Sequence, residues 1–178
     1  MAHKEQEAFI RIVKSKFTEY FKNSDVLDIG SLNINGDNKI FFDNCSYIGV
    51  DVAPGNNVNV VSKGHEYHPD KIFDVVISTE CFEHDPHYNE TINNMFSLLR
   101  EGGLMIITCA TTGRKEHGTI KVEPLSNPLG IKVFGNYYKN ITEKDIREVM
   151  DIDFLFASYE FIKQNTDLYF WGIKNIIM

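Results

Sequence analysis

The chain is short of the features that would take it away from a plain, densely packed interior. It has three cysteines, Cys45, Cys81 and Cys109, an odd number without Cys-x-x-Cys spacing. That argues against a disulfide framework and for reduced thiols in a cytoplasmic protein. No apolar run approaches the ~20 residues of a membrane span, and the first residues are charged rather than signal-like. Positive charge is also scarce. With 18 Lys and Arg against 25 Asp and Glu, the formal net charge is −7, which argues against nucleic acid as a partner, because a phosphate backbone wants a basic face. Internal repeats and low-complexity stretches are missing. What remains is 178 residues, enough for one domain with a full core.

The stretch Ser24 to Asp51 organises that domain. Val26-Leu27-Asp28-Ile29 and Tyr47-Ile48-Gly49-Val50-Asp51 are apolar, β-branched runs that bracket a glycine turn. They read as the first βαβ unit of an open α/β sheet buried on both faces. Gly30 stands where the first strand must turn and let a ligand approach the backbone. Asp51 follows about twenty residues on, at the end of the next strand, where an acid holds a ribose diol. A dinucleotide fingerprint would need glycines at i, i+2 and i+5. From Gly30 the latter two are Leu32 and Asn35, so a nicotinamide cofactor is disfavoured. Asp28 would repel a pyrophosphate but suits a cationic ligand.

At these residues the chain resembles the class I methyltransferases that use S-adenosylmethionine (SAM), in particular the small type 11 group. That family's first motif is acid-x-Gly-x-Gly-x-Gly. Asp28, Gly30 and Gly36 fall in register with it, while Leu32 and Ile34 stand in for the middle glycines. The segment Phe73 to Asp85, with Phe73-Asp74-Val75-Val76 leading to Phe82-Glu83-His84, resembles the family's fourth motif. Leu98 to Thr108 is similar to its helix, Gly-Gly turn and fifth strand, with Gly102-Gly103 read as a helix C-cap. The resemblance implies a Rossmann-like open twisted sheet of about seven strands, mostly parallel with an antiparallel edge strand, and helices on both faces. It implies SAM as cofactor, held by Asp28, Gly30, Ser31, Asp51, Val52, Gly64, His65, Ser78, Thr79 and Glu80. The family often places an Asp near Lys63 to accept the adenine amino group. Lys63 cannot accept, so recognition there would lean on the backbone of Gly64 and His65.

Periodicity supplies the rest of one domain over 1–178. Lys4 to Phe21 reads as an amphipathic helix within an N-terminal segment 1–23, the cofactor core spans 24–110, and Asn89 to Arg100 supplies a helix within it. Residues 111–140 lack clear periodicity and leave the carboxyl end of the fifth strand, the side where such sheets bind ligands. They are expected to be a substrate loop. Within 141–178, Thr142 to Asp145 reads as a capped helix start, and Phe154–Ile162 and Leu168–Lys174 as the last two strands. In the resembled family an N-terminal helix can lid the cofactor, which makes Tyr20 a candidate contact.

Methyl transfer asks mainly for alignment of nucleophile, methyl and sulfur. The expected acceptor is a small molecule bearing a hydroxyl, such as a sugar or metabolite, because the chain is too short for an inserted substrate domain. His84 and His117 are the candidate general bases. Glu80, Glu83 and His84 stand at i, i+3 and i+4, so a helical turn over 79–85 would put all three on one face. Two carboxylates and an imidazole suit Mg²⁺ or Mn²⁺. The pattern is similar to the metal site of the quinone-biosynthesis O-methyltransferases and of the small-RNA 2′-O-methyltransferases. The latter add a later histidine, and His117 could be that ligand. Two other functions stay open: a non-catalytic SAM-binding or partner subunit, and another nucleotide-dependent α/β enzyme.

Overall fold

The computed structural model describes residues 4–34 and 36–176. Asn35, one of the two positions that break the dinucleotide pattern, lies outside the described residues. The chain forms one seven-stranded sheet in the order β3-β2-β1-β4-β5-β7-β6. The strands are β1 (Asp25–Ile29), β2 (Ser46–Asp51), β3 (Val60–Val61), β4 (Phe73–Thr79), β5 (Leu99–Ala110), β6 (Phe156–Gln164) and β7 (Asp167–Lys174). β1 pairs in parallel with β2 and β4, and β4 with β5. β7 runs antiparallel to both β5 and β6, so the reversed strand sits one in from the edge that β6 forms. The order reverses between β1 and β4, which opens a crevice at their carboxyl ends.

Both faces of the sheet are covered, and the strands alternate to serve them. Val75 and Ile77, with Leu104 and Ile106, pack beneath α1 (Lys4–Lys16) among Phe9, Ile10 and Val13. Val76, Met105 and Ile107 face the other way, toward Ile92 and Met95 of α2 (Tyr88–Leu98) and Ile146 of α4 (Glu143–Val149). Two of the remaining helices are short: α3 (Pro128–Phe134) and α5 (Ile152–Leu155). Among the described residues no helix is long and apolar enough to cross a membrane.

Several elements are shorter than the periodicity predicts. The first helix stops at Lys16 and continues as a tighter 3₁₀ turn over Thr18–Phe21. Between β1 and β2 the short helical segment is a single 3₁₀ turn, Asn38–Phe41. Tyr20 does not reach a cofactor site: its hydroxyl donates to the Gly102 carbonyl. Gly102-Gly103 also differs from expectation. The cap of α2 is Leu99, and the glycines lie inside β5, where the pairing with β4 jumps from Phe73–Leu99 to Val75–Leu104. The extra residues form a bulge, and Gly102 takes a φ of 66°.

Candidate active site

The crevice beyond β1, β2 and β4 holds a cavity, floored by the strand ends and roofed by residues 111–140. Gly30 makes the turn out of β1 with φ of 81°, and its N–H donates to the Val50 carbonyl at 2.9 Å. A Cβ at this position would lie 2.6 Å from Cys81 Sγ, so the turn also serves the packing of the β4 loop. Among the described residues no α-helix follows it before β2, and no row of amides is left bare for a phosphate. Instead the Leu32 N–H donates to Asp51 Oδ2 at 3.1 Å and the Ala53 N–H to Oδ1 at 3.3 Å. Each Asp51 oxygen keeps a lone pair for a ribose hydroxyl.

Asp28 lies deeper. Its Oδ2 accepts from the Tyr47 hydroxyl at 2.6 Å and from Asn38 Nδ2 at 3.2 Å, while Oδ1 is buried with no partner among the described residues. Burial pushes its carboxyl up to about 7, against the lowering effect of those two hydrogen bonds. Asn38 also donates to Thr79 Oγ1 at 2.9 Å, which ties the ends of β1 and β4 together. Sequence reasoning missed Asn38 and Tyr47. Nothing in their spacing marks them, because the contact depends on how the loop after β1 folds back.

Of the residues predicted to hold the cofactor, Asp28, Gly30, Ser31, Asp51, Val52, Gly64, Thr79 and Glu80 all line the cavity. His65 and Ser78 do not. The His65 ring turns to His87, with centroids 4.4 Å apart, and Ser78 is buried within β4. Ser78 lies in β4, where faces alternate from one residue to the next, and His65 lies in a 3₁₀ turn, Gly64–Glu66. Both candidate bases, His84 and His117, are on the wall. Their rings meet edge to face at 5.0 Å, and Tyr138 lies 5.6 Å from His84 and 5.0 Å from His117. The lid adds Asn127, Leu129 and Phe134 to the lining.

The candidate metal ligands need one correction. The turn after β4 is a 3₁₀ turn confined to Phe82–His84, so Glu80 lies outside it and does not share its face. Donor atoms of Glu83, His84 and His117 lie within 4.8 Å of one another. Glu80 is not in that group: its Oε1 accepts from Thr108 Oγ1 at 2.9 Å. Glu83 is fully buried, and both its carboxylate oxygens, like His84 Nδ1, lack a partner among the described residues. Orphaned buried donors and acceptors of this kind are costly unless a ligand completes them. Burial, and then the neighbouring His117, hold the His84 imidazole down to about 3, so at neutral pH it offers a lone pair and is a weak proton acceptor. Burial raises the Glu83 carboxyl, and burial with the nearby Glu83 charge pushes Glu80 up to about 8.

The roof is fastened at both ends. The Thr111 N–H donates to the Thr166 carbonyl at 2.8 Å, Lys139 N–H to the Glu83 carbonyl at 2.9 Å, and Ile141 N–H to the Ala110 carbonyl at 2.9 Å. Lys139 Nζ also donates to the Tyr88 hydroxyl at 2.8 Å and to Asp145 at 2.7 Å. Between these anchors the roof holds α3, which the lack of periodicity hid. Its local signal was Asn127-Pro128: the Asn127 side chain accepts from the Gly130 N–H, and Pro128 opens the helix.

A family model described as a methyltransferase domain matches residues 1–128. No curated protein sequence matches the chain. Among solved structures, it is similar to phosphoethanolamine N-methyltransferase 2 of Haemonchus contortus, determined with phosphomonomethylethanolamine and S-adenosylhomocysteine. The TM-score is 0.65 at 16% identity over 96% of this chain and 53% of that one, so the chain spans about half the length of the Haemonchus protein. It is also similar to the N-methyltransferase NodS of Bradyrhizobium japonicum bound to S-adenosylhomocysteine, with TM-score 0.61 at 11% identity over 96% of this chain and 87% of that one. A third is the 1,6-didemethyltoxoflavin-N1-methyltransferase of Burkholderia thailandensis, with TM-score 0.59 at 14% identity, covering 99% and 92% of the two chains.

Proposed function

The chain belongs to the methyltransferase-domain family of SAM-dependent enzymes, and on that premise we propose that it transfers the SAM methyl group to a small-molecule acceptor held beneath the 111–140 lid. One observation carries this reading. A single cavity joins the Asp28–Gly30–Asp51 floor to the His84–His117 wall and the underside of the lid, so cofactor and acceptor would share one enclosed space. Asp51 would take the ribose hydroxyls. Asp28 would face the cationic end of the cofactor, where its orphan Oδ1 is available. The acceptor's lone pair attacks the methyl carbon, the carbon–sulfur bond breaks with its electron pair going to sulfur, and S-adenosylhomocysteine leaves. Holding the two partners in line supplies much of the ~7–11 kcal/mol available from positioning. With no ion held there, His117 is the better suited of the two imidazoles to receive an acceptor proton, because His84 is a weak base.

A divalent ion fits Glu83, His84 and His117. The test is the set of orphan donors: two carboxylate oxygens and an imidazole nitrogen, buried and unpartnered among the described residues, beside a second imidazole. With two nitrogen donors the set suits Mn²⁺ better than Mg²⁺. Bound there, such an ion would lower the pKa of an acceptor hydroxyl, the acceptor group this reading favours. The residues' own task is to keep that corner dry and their lone pairs converged. The three thiols, all free, support a reducing, cytoplasmic setting.

Calorimetric titration with SAM, S-adenosylhomocysteine and NAD, followed by transfer of labelled methyl into a metabolite extract, tests the proposal. SAM and its product should bind, NAD should not, and label should appear in a small molecule. Binding without transfer would make the chain a SAM-binding subunit, and binding of NAD alone would overturn the reading.

A further inference from the structure

Charge is distributed one-sidedly around the cavity. Asp28, Asp37, Asp51, Glu80 and Asp85 contribute carboxyl groups to the lining, and no Lys or Arg stands among the described lining residues. Nearby cations are engaged with other groups: Lys139 with Tyr88 and Asp145, Lys63 with Glu66, and Arg114 with Thr166 and Asp167. The N-terminus of α2 begins beside the same wall, where bare amides could have met an anion. Asp85 occupies it instead, accepting from the His87 N–H at 2.8 Å and the Thr91 hydroxyl at 2.6 Å.

With Asp28 and Asp51 assigned to the cofactor, Glu80 is the acid in this ring with capacity left for an acceptor. Its backbone sits at φ of 50°, a left-handed conformation that a non-glycine residue keeps only where its surroundings impose it. Thr108 does so from both sides: its carbonyl accepts the Glu80 N–H at 2.8 Å and its hydroxyl donates to Oε1 at 2.9 Å. The other oxygen, Oε2, is buried and has no partner among the described residues. In its ionised form, which a cationic cofactor in the same cavity favours, a carboxyl clamped in this way has one oxygen in need of a donor.

We infer that the acceptor is a small non-anionic molecule that presents an N–H or O–H to Glu80 Oε2 and carries no phosphate, sulfate or carboxylate. This rests on the methyl-transfer reading above and narrows its substrate class. An anionic group would enter a weakly screened space lined with carboxyls, whose ionised forms repel it far more than in water, and would find no Lys or Arg among the described lining residues to offset them. A donor group would complete the orphan oxygen. In the step itself the acceptor heteroatom forms its bond to the methyl carbon, sulfur keeps the electrons of the broken bond, and the proton displaced from the acceptor passes to His117 or to water.

A mixed pool of metabolites suffices to test this. The extract is first divided on an anion exchanger into retained and unretained pools, and each is incubated with the protein and methyl-labelled SAM. Label should enter the unretained pool at least tenfold faster. Glu80→Gln keeps the side-chain volume and an oxygen for Thr108. It should cut transfer at limiting acceptor at least tenfold and recover at high acceptor. Label in the retained pool, or shared equally between pools, would overturn the inference while leaving methyl transfer standing. Failure of both pools to take label from bound SAM would remove the methyl-transfer reading itself. An unchanged acceptor dependence in Glu80→Gln would overturn the role of Glu80.

Discussion

Asp51 and Gly30 work on the cofactor by different means. Asp51 is oriented by two backbone amides, Leu32 and Ala53, so its carboxylate is fixed before any ligand arrives. Asp51→Ala should weaken SAM and S-adenosylhomocysteine binding at least tenfold, in line with the roughly 1.5–3 kcal/mol of hydrogen bonds to a charged group, with the fold retained. Calorimetry on the variant checks this, and an unchanged affinity would remove Asp51 from the ribose site. Gly30 is a different case. At φ of 81°, and with Cys81 Sγ only 2.6 Å from where a Cβ would be, Gly30→Val strains the backbone and collides with the β4 loop. Loss of cofactor binding should therefore come with a clear fall in melting temperature. A variant that melts normally yet binds nothing would assign the residue to ligand contact alone.

At the scale of elements, the lid is tied down at its ends and free at its crest, where Leu125 is 84% exposed. Amides of 117–135 should exchange faster than those of the strands in the unliganded protein and slow when cofactor and acceptor are both present. The absence of any ligand-dependent protection would take the lid out of the active site. α4 behaves as a local unit: Thr142 and Asp145 cap each other reciprocally, and Thr142→Ala should cost about 1 kcal/mol, read by denaturant unfolding. That helix was legible in the sequence because a capping box lies within four residues. The strands were legible because burial on both faces leaves a continuous apolar run, and their ends placed Asp28, Gly30, Asp51, Thr79 and Glu80 on one wall. What stayed hidden depends on contacts between distant segments. Examples are Asn38 reaching back to Asp28 and Thr79, His65 turning to His87, and a 3₁₀ turn too short to carry Glu80 to the face of Glu83 and His84. The glycine pair misled for the same reason, since a bulge is defined by its partner strand and not by the residues themselves.

For the whole molecule, the acids crowded at one end of the sheet govern how stability follows pH. Burial raises Asp28 to about 7 and Glu80 to about 8, and raises Asp51 and Glu83 as well. In the unfolded chain these carboxyls return to the ordinary range near ~4. Between that value and the folded ones, these four carboxyls bind more protons in the folded protein than in the unfolded chain, against the single opposing depression of His84, so stability falls as pH rises through the window. This is the reverse of the usual carboxylate, whose folded pKa is depressed. The unliganded protein should therefore lose stability, and with it melting temperature, between about pH 5 and about pH 8. SAM carries a sulfonium and an ammonium into the same ring of acids and favours their ionised forms, so its binding should release protons and tighten over that range. The melting-temperature gain on adding SAM should then grow with pH, and grow less with S-adenosylhomocysteine, which lacks the sulfonium charge. Differential scanning calorimetry with and without each ligand measures both effects. A SAM affinity that stays flat while pH crosses Asp28's value near 7 would show that this carboxyl does not face the cofactor's charge.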